Sequence, residues 1–297
     1  MAMSKEAMLE KPTKRKACEM LESSEQPSPN TMDKSPQGQE KNRPTKRLAK
    51  ADSKAIKVAN NLSTLAFKNA FIPSENLVYR TTKRAKQAST TAAPPQVFNI
   101  IFHEASELTK NQMYQCFNLI ESTSRSDYES CATFGWHPRR KRREMSEDEM
   151  RYLLVYSNSS SPNPPKGCDN ADNQTAHDED NDQAKIQDGN LVAFLSFMLT
   201  HDSTPCVPVL YIYEIHTWPL TRGIGLGQHL MHLAETIARN VGVQKVMLTC
   251  FMRNTKAMGF YESMGFSKDV CSPEERVTRG RTVEVEYVIM SKEISAR

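Results

Sequence analysis

The stretch that most constrains this chain is Val209 to Met231, VLYIYEIHTWPLTRGIGLGQHLM. An apolar and aromatic run is followed by a short bridge and then by a glycine-rich turn that opens a helix. The run Leu210-Tyr211-Ile212-Tyr213-Glu214-Ile215 alternates well enough to form a half-buried β-strand. A lone carboxylate at Glu214 is poorly placed in such a strand unless it has a partner or a chemical task. After the bridge, Arg222-Gly223-Ile224-Gly225-Leu226-Gly227-Gln228 precedes apolar residues at Leu230, Met231, Leu233 and Ala234, a spacing that predicts an amphipathic helix. Backbone N–H groups at such a helix start, together with its dipole, suit phosphate oxygens.

Two common glycine motifs do not fit. No Gly-Lys-Ser/Thr ends the loop, which excludes a P-loop. A dinucleotide fingerprint would follow its strand directly, whereas here His216 to Thr221 intervene. Arg-x-x-Gly-x-Gly resembles the acetyl-CoA loop of the GNAT superfamily of N-acetyltransferases. After a further predicted strand, Lys245 to Phe251, the segment Asn254-x-x-Ala257-x-x-Phe260-Tyr261 is similar to the Asn and Tyr motif of that superfamily. Ala257, Phe260 and Tyr261 share one helical face; for Phe260 the expected role is core packing.

The remainder of the 297 residues is unevenly apolar. Residues 1–50 are filled with Lys, Ser, Pro, Gln and Glu and are expected to be a disordered basic tail. Residues 1–90 hold 18 Lys/Arg against 9 Asp/Glu, so the rest of a chain of net charge +4 is acidic. The basic runs at Lys14-Arg15-Lys16 and Lys46-Arg47 suit nuclear import or nucleic-acid contact, and equally suit a solvated tail. No secretory leader or apolar run of eighteen residues is evident, so a non-membrane protein of the nucleus and cytoplasm is expected. Seven scattered cysteines without a Cys-x-x-Cys pair imply a reducing compartment and no metal.

Residues 51–297 are expected to form one domain. Apolar spacing predicts a helix over 51–72 packed on that domain, a strand over Val97–Phe102 and a helix over Glu107–Ile120 with Leu108, Met113, Cys116 and Phe117 inward. Ser126 to Asp148 is polar and basic and is expected to be a loop anchored by Tyr128, Phe134 and Trp136. Strands follow at Arg151–Tyr156 and Leu191–Leu199. Between them, residues 157–190 hold seven acidic residues against two lysines and form an expected disordered acidic insert. A final strand, Thr282–Met290, closes the sheet. This order matches the GNAT fold: an α/β (α+β) arrangement with a mixed, mostly antiparallel sheet flanked by helices, opened between its fourth and fifth strands.

Within that superfamily the chain resembles the NatD-type N-terminal acetyltransferases, which acetylate the first residue of histone H4 and histone 2A. The resemblance rests on Leu108-Thr109-Lys110 with Met113, Tyr128 with Phe134-Gly135-Trp136, Arg140 to Met145, Tyr211 to Glu214, and Val246 to Thr249, within a match from about residue 55 to residue 292. It implies acetyl-CoA as donor and no metal, with Glu214 as catalytic base and Tyr261 as the candidate for protonating the leaving thiolate. Ile215, His216 and Thr217 would offer strand backbone to the acetyl and pantetheine part. Arg222, Gly223, Ile224, Gly225, Leu226, Gly227 and Gln228 would hold the pyrophosphate, and Asn254 would close the site. Tyr128, Phe134, Tyr211, Tyr213, Thr249 and Tyr287 would surround the first residues of the histone, with Asp202 facing the peptide's arginine. Phe134 stands where the family commonly has Trp, and Thr204 where it has a second acidic residue.

The implied partners are histone H4 and histone 2A tails, with no membrane and no need for direct DNA binding; a monomer is the expected form, and ribosome contact is left open. Two other readings compete: a lysine or small-molecule acetyltransferase of the same fold, and a non-catalytic chromatin-binding module.

Overall fold

A computed structural model describes residues 54–81, 95–157, 191–202, 207–243, 245–278 and 281–294. The expected tail over 1–50, nearly all of the acidic insert, and Thr204 lie outside the described residues. Eight strands form one sheet in the order β1-β2-β3-β4-β5-β6-β10-β7. They are β1 (Val78–Arg80), β2 (Val97–Glu104), β3 (Arg151–Ser157), β4 (Leu191–His201), β5 (Pro208–Thr217), β6 (Lys245–Phe251), β7 (Ser267–Lys268) and β10 (Tyr287–Glu293). Every neighbouring pair is antiparallel except β5 with β6, which is parallel. The mixed, mostly antiparallel sheet of the GNAT fold is thus present.

Helices cover both faces. On one lie α1 (residues 54–60), α2 (Thr64–Phe71) and α5 (Leu226–Val241), whose Leu230, Met231, Leu233, Ala234 and Ile237 enter a single core with Leu195, Phe197, Leu210 and Ile212. On the other lie α3 (Lys110–Glu129) and α4 (Pro138–Met145), packed over Phe194, Met198, Tyr211 and Tyr213. With both faces covered, the central strands are apolar throughout: β3 and β4 are buried over nearly their whole length, and β5, expected to be half-buried, is buried on both sides.

Several boundaries differ from expectation, each for a local reason. The helix expected over 51–72 is two helices, because Ser63 accepts from the Ala66 N–H and starts a new one. The helix expected over Glu107–Ile120 begins only after Thr109, which forms a reciprocal capping box with Gln112. It then runs on through Glu129, and the expected loop over Ser126–Asp148 also contains α4. The dense charge of PRRKRREM hides that Lys141, Glu144 and Met145 are its buried positions. The final expected strand is two: β9 (Arg281–Val283) pairs with β8 (Arg276–Thr278) as a separate hairpin, and β10 joins the sheet inside β7. Strand β1 at the opposite edge was not anticipated at all. No helix among the described residues is long and apolar enough to cross a membrane.

Arg151 ties α1 and α2 to the sheet. Its guanidinium is 2% exposed, lies 4.6 Å from the Phe67 ring, and donates to Asn60 Oδ1 at 3.0 Å and Glu104 Oε1 at 3.3 Å. Asn60 in turn donates to the Leu199 carbonyl at 3.2 Å. Arg151→Ala is expected to cost about 3 kcal/mol, from a lost buried charge pair and the space left behind, read as a lower midpoint in urea denaturation.

Candidate active site

Strands β5 and β6 pair at only three positions, Leu210 with Val246, Tyr211 with Met247 and Ile212 with Leu248. Beyond Ile212 the two strands part. The separation coincides with a bulge in β5: Ser196 of β4 faces Glu214 while the next residue, Phe197, faces Ile212, so Tyr213 is the extra residue. Strict alternation would send Tyr213 and Glu214 to opposite faces. The bulge puts both on the face covered by α3 and α4, where Tyr213 joins that core and Glu214 meets side chains of both helices. A cleft of about 680 Å³ opens between the parted strands.

Glu214 is 5% exposed in the wall of that cleft. The Tyr128 hydroxyl donates to its Oε1 at 2.8 Å, and the Lys141 ammonium reaches the same oxygen at 3.0 Å. Lys141 is buried with Glu144 at 2.5 Å and lies 4.8 Å from the Tyr128 ring centre. Burial works against its charge, but Glu144, Tyr128 and Glu214 outweigh it and hold the ammonium well above the usual lysine range. The other oxygen of Glu214, Oε2, lies 2.7 Å from His216 Nε2.

The glycine turn follows a short 3-10 segment, Pro219–Thr221, and leads into α5. Gly223 and Gly225 have φ of 77° and 93°. A Cβ on Gly225 would lie 2.5 Å from the Tyr79 hydroxyl, which donates to the Ile224 carbonyl at 2.5 Å. The glycine at 225 therefore answers a left-handed backbone and the Tyr79 contact. At Gly227 a Cβ would meet only the Phe260 ring, at 3.6 Å. No side chain caps α5, so the N–H groups of its first turn have no partner within the helix. Asn254 caps α6 (Thr255–Ser263) through the Ala257 N–H and donates to Asp127 Oδ2 at 3.1 Å, which joins α6 to α3 across the cleft.

The model of the acetyltransferase (GNAT) family matches residues 131–266, which span the bulged strand, the glycine turn and α6. This chain carries a GNAT acetyltransferase domain. N-alpha-acetyltransferase 40 of Saccharomyces cerevisiae is 37% identical over 101 residues, covering 29% of this chain and 35% of that protein. The likeness thus spans about a third of the length of this relative. Among solved structures, the ribosomal-protein-S18-alanine N-acetyltransferase from Escherichia coli is 16% identical, with 67% of this chain and 96% of that chain covered and a TM-score of 0.38. Arabidopsis thaliana NAA60 in complex with acetyl-CoA is 11% identical over 66% of this chain and 99% of that chain, with a TM-score of 0.41.

The GNAT domain brings most of the sequence-derived candidates to the cleft wall: Glu214 and Tyr261; Ile215, His216 and Thr217; Arg222, Gly223, Gly225, Leu226, Gly227 and Gln228; Asn254; and Tyr128, Tyr213 and Thr249. Ile224 is not in the wall; it packs on the core and its carbonyl serves Tyr79. Phe260, expected in the core, packs against it and also lines the cleft. Tyr211 turns its hydroxyl to Thr249 behind the wall, and Phe134 packs between Phe251 and Tyr287, at 5.9 and 4.9 Å between ring centres. Asp202 is a clear departure. It lies beside the start of β5, at the strand end opposite Glu214, and pairs with Lys245 at 2.7 Å. The Lys245 ammonium also meets Asp269 at 2.6 Å, so the cluster of Asp202, Asp269 and Cys271 already holds a cation.

Other residues of the site were not singled out from sequence. Lys141 sat in an expected loop, and Arg253, Lys256, Thr123 and Asp127 had no motif to mark them, although the last four line the cleft. Glu286 had none either. Its carboxylate accepts from the Ala132 and Thr133 N–H groups at 2.8 and 3.0 Å and holds the turn that presents Phe134.

The two glycines are expected to respond with opposite signs. Gly225→Ala forces a methyl group into a left-handed backbone and against Tyr79, costing about 1–2 kcal/mol. Gly227→Ala, in the first turn of a helix with ordinary contacts, is expected to be neutral or to stabilise by up to about 1 kcal/mol. Chemical denaturation of both variants checks this.

Proposed function

We propose that this domain transfers an acetyl group from acetyl-CoA to the α-amine of a peptide N-terminus, and that its substrates are Ser-Gly-Arg-Gly ends of the histone H4 and histone 2A type. The observation that carries the reading is the bulge, which turns Glu214 toward the cleft at the point where β5 leaves β6. The histone assignment is supported by the resemblance of the sequence to NatD-type enzymes, and transfer to an α-amine by the name of the yeast relative. Such substrates place the protein in nucleus and cytoplasm.

The cleft suits a polyanionic donor. The uncapped start of α5 and the side chains of Arg222, Arg253 and Lys256 all border it, so backbone N–H groups and three cations are available for phosphate oxygens. Acetyl-CoA, when bound, supplies an activated thioester carbonyl. Glu214 takes the proton of the incoming amine, whose ordinary pKa of about 8 leaves it largely protonated at neutral pH. Past Ile212 the edge of β5 has no ladder partner on β6, which leaves backbone N–H groups to meet negative charge on a carbonyl oxygen. Burial pushes the Tyr261 hydroxyl well up, with Cys250 and Glu214 adding to the effect. Tyr261 therefore keeps its proton at neutral pH and can donate a hydrogen bond to a leaving sulfur. Tyr128, Tyr213 and Thr249 form the wall around the first residue of the peptide.

The test is acetyl transfer by purified protein to peptides beginning Ser-Gly-Arg-Gly, to the same peptides with a blocked N-terminus, and to a peptide beginning with Met. Only the first is expected to be modified. Transfer to the blocked peptide would move the reaction to lysine, and acetyl-CoA binding without any transfer would favour a binding module. Glu214→Gln is expected to bind acetyl-CoA as the parent does and to lose about 10²–10⁴-fold in kcat. Full activity in that variant at neutral pH would remove Glu214 from the reaction.

A further inference from the structure

The protons around Glu214 can be counted from the hydrogen bonds. Thr123 Oγ1 lies 2.6 Å from the Leu119 carbonyl and donates its one hydrogen there. Toward His216 Nδ1, at 2.7 Å, the same oxygen can then only accept, so Nδ1 carries a hydrogen. On the far side of the ring, Nε2 and Glu214 Oε2 are 2.7 Å apart, and a contact this short between two acceptor atoms requires a hydrogen between them. Imidazole and carboxylate therefore hold two protons in this arrangement. The Tyr128 hydroxyl and Lys141 ammonium on Oε1 favour the charged carboxylate, so the arrangement is one that an imidazolium ring would satisfy. Glu214 is thus one half of a pair that has a place for one further proton beside the carboxylate.

We propose that His216 is a positioning residue for Glu214, and that the proton withdrawn from the amine comes to rest on its imidazole. The inference builds on the acetyl-transfer reading above. The step balances as one proton: an amine R–NH₃⁺ meets a neutral His216 beside the Glu214 carboxylate, the N–H bond to one proton breaks, and the products are R–NH₂ and the imidazolium–carboxylate pair. The pair returns to its starting state by losing that proton to the cleft, whose wall includes both His216 and Thr123. Lodging the proton on Glu214 alone would leave a neutral acid among donors arranged for an anion. Lodging it on His216 keeps those bonds and offsets the charge locally, as Lys141 and Glu144 already do for each other.

The groups on and around this pair come from seven elements. On β5 it is the pair itself. Lys141 and Glu144 approach from α4, and Thr123, Asp127 and Tyr128 from α3. Tyr152 lies on β3, within electrostatic reach of Glu214, Lys141 and Glu144. Cys250 on β6 and Tyr261 on α6 face it across the cleft. From β4, Phe194 covers the imidazole at 5.6 Å between ring centres and contributes no charge. The acidic limb of kcat/KM is therefore expected to report the macroscopic protonation of the coupled pair as a unit.

The decisive measurement uses the full-length protein labelled with ¹⁵N-histidine. Long-range ¹H–¹⁵N spectra, assigned with His216→Gln, are expected to show His216 passing from doubly protonated to neutral across the same pH interval in which kcat/KM rises. A ring that holds one neutral tautomer through that interval overturns the proposal. In His216→Gln, whose amide can still donate to Glu214, the acidic limb is expected to move down by at least about one pH unit and the plateau to fall about tenfold, because a carboxylate alone is the weaker base. An unchanged limb also overturns the proposal, and acetyl-CoA binding with circular dichroism verifies that the variant is folded. If it is not folded, the spectra of the parent decide, with the six remaining histidines assigned by single variants at His103, His137, His177, His201, His229 and His232. Should the parent transfer no acetyl group, the acetylation reading falls by itself, and two protons on the pair would still be read from the same spectra at neutral pH.

Discussion

The site depends on a failure of strand pairing. Parallel partners β5 and β6 could share more of their ten and seven residues, yet the ladder ends after Ile212. A bulge adds twist and redirects side chains, and here it does both at once. It removes one strand from the ladder of the next and turns two consecutive residues, Tyr213 and Glu214, to one face. The antiparallel pairs on either side remain long, with β6 and β10 matched over seven positions. The opening is therefore held by intact sheet on both flanks, and it needs no mobile element to exist.

A buried carboxylate at such an opening would be costly if left to itself. The helices on that face offset the cost with two donors, Tyr128 from α3 and Lys141 from α4, while β5 itself brings His216 to the other oxygen, and Glu144 in turn offsets Lys141. Lys141, Glu144 and Glu214 lie within one apolar shell, so each is stabilised only while the others keep their charge states. That coupling links packing to chemistry. The residues that make the fold tolerate Glu214 are also the ones that determine how strongly it attracts a proton.

The opposite flank shows the same economy with backbone groups. Tyr79, from an edge strand of three residues, reaches the Ile224 carbonyl and its ring lies 5.0 Å from His229, whose own ring meets the Asn76 carbonyl at 2.8 Å. These contacts seat the turn before α5, whose first N–H groups then remain directed at the cleft without a side-chain cap.

By itself the sequence determined the strand at 209–217, the glycine turn, the long amphipathic α5 and the Asn254 to Tyr261 helix, because each rests on local periodicity or on a residue type that only a turn or cap requires. These elements form the GNAT core, and most of the cofactor-side candidates fell on the cleft as a result. Only the tertiary structure decided the rest. A bulge is a property of two paired strands, so the shared face of Tyr213 and Glu214 could not be read from β5 alone. Lys141 looked like one charge among many in a basic segment until α4 buried it against a carboxylate 73 residues away. Asp202 looked like a ligand for a cationic peptide until Lys245 took that place. His216 was expected to lend only its backbone, and its ring acquired a chemical role when α3 brought Thr123 to one nitrogen and the bulge brought Glu214 to the other. Local pattern specifies elements because neighbours in the chain share a period; partners for a buried charge come from wherever the fold places them, and no local pattern encodes that.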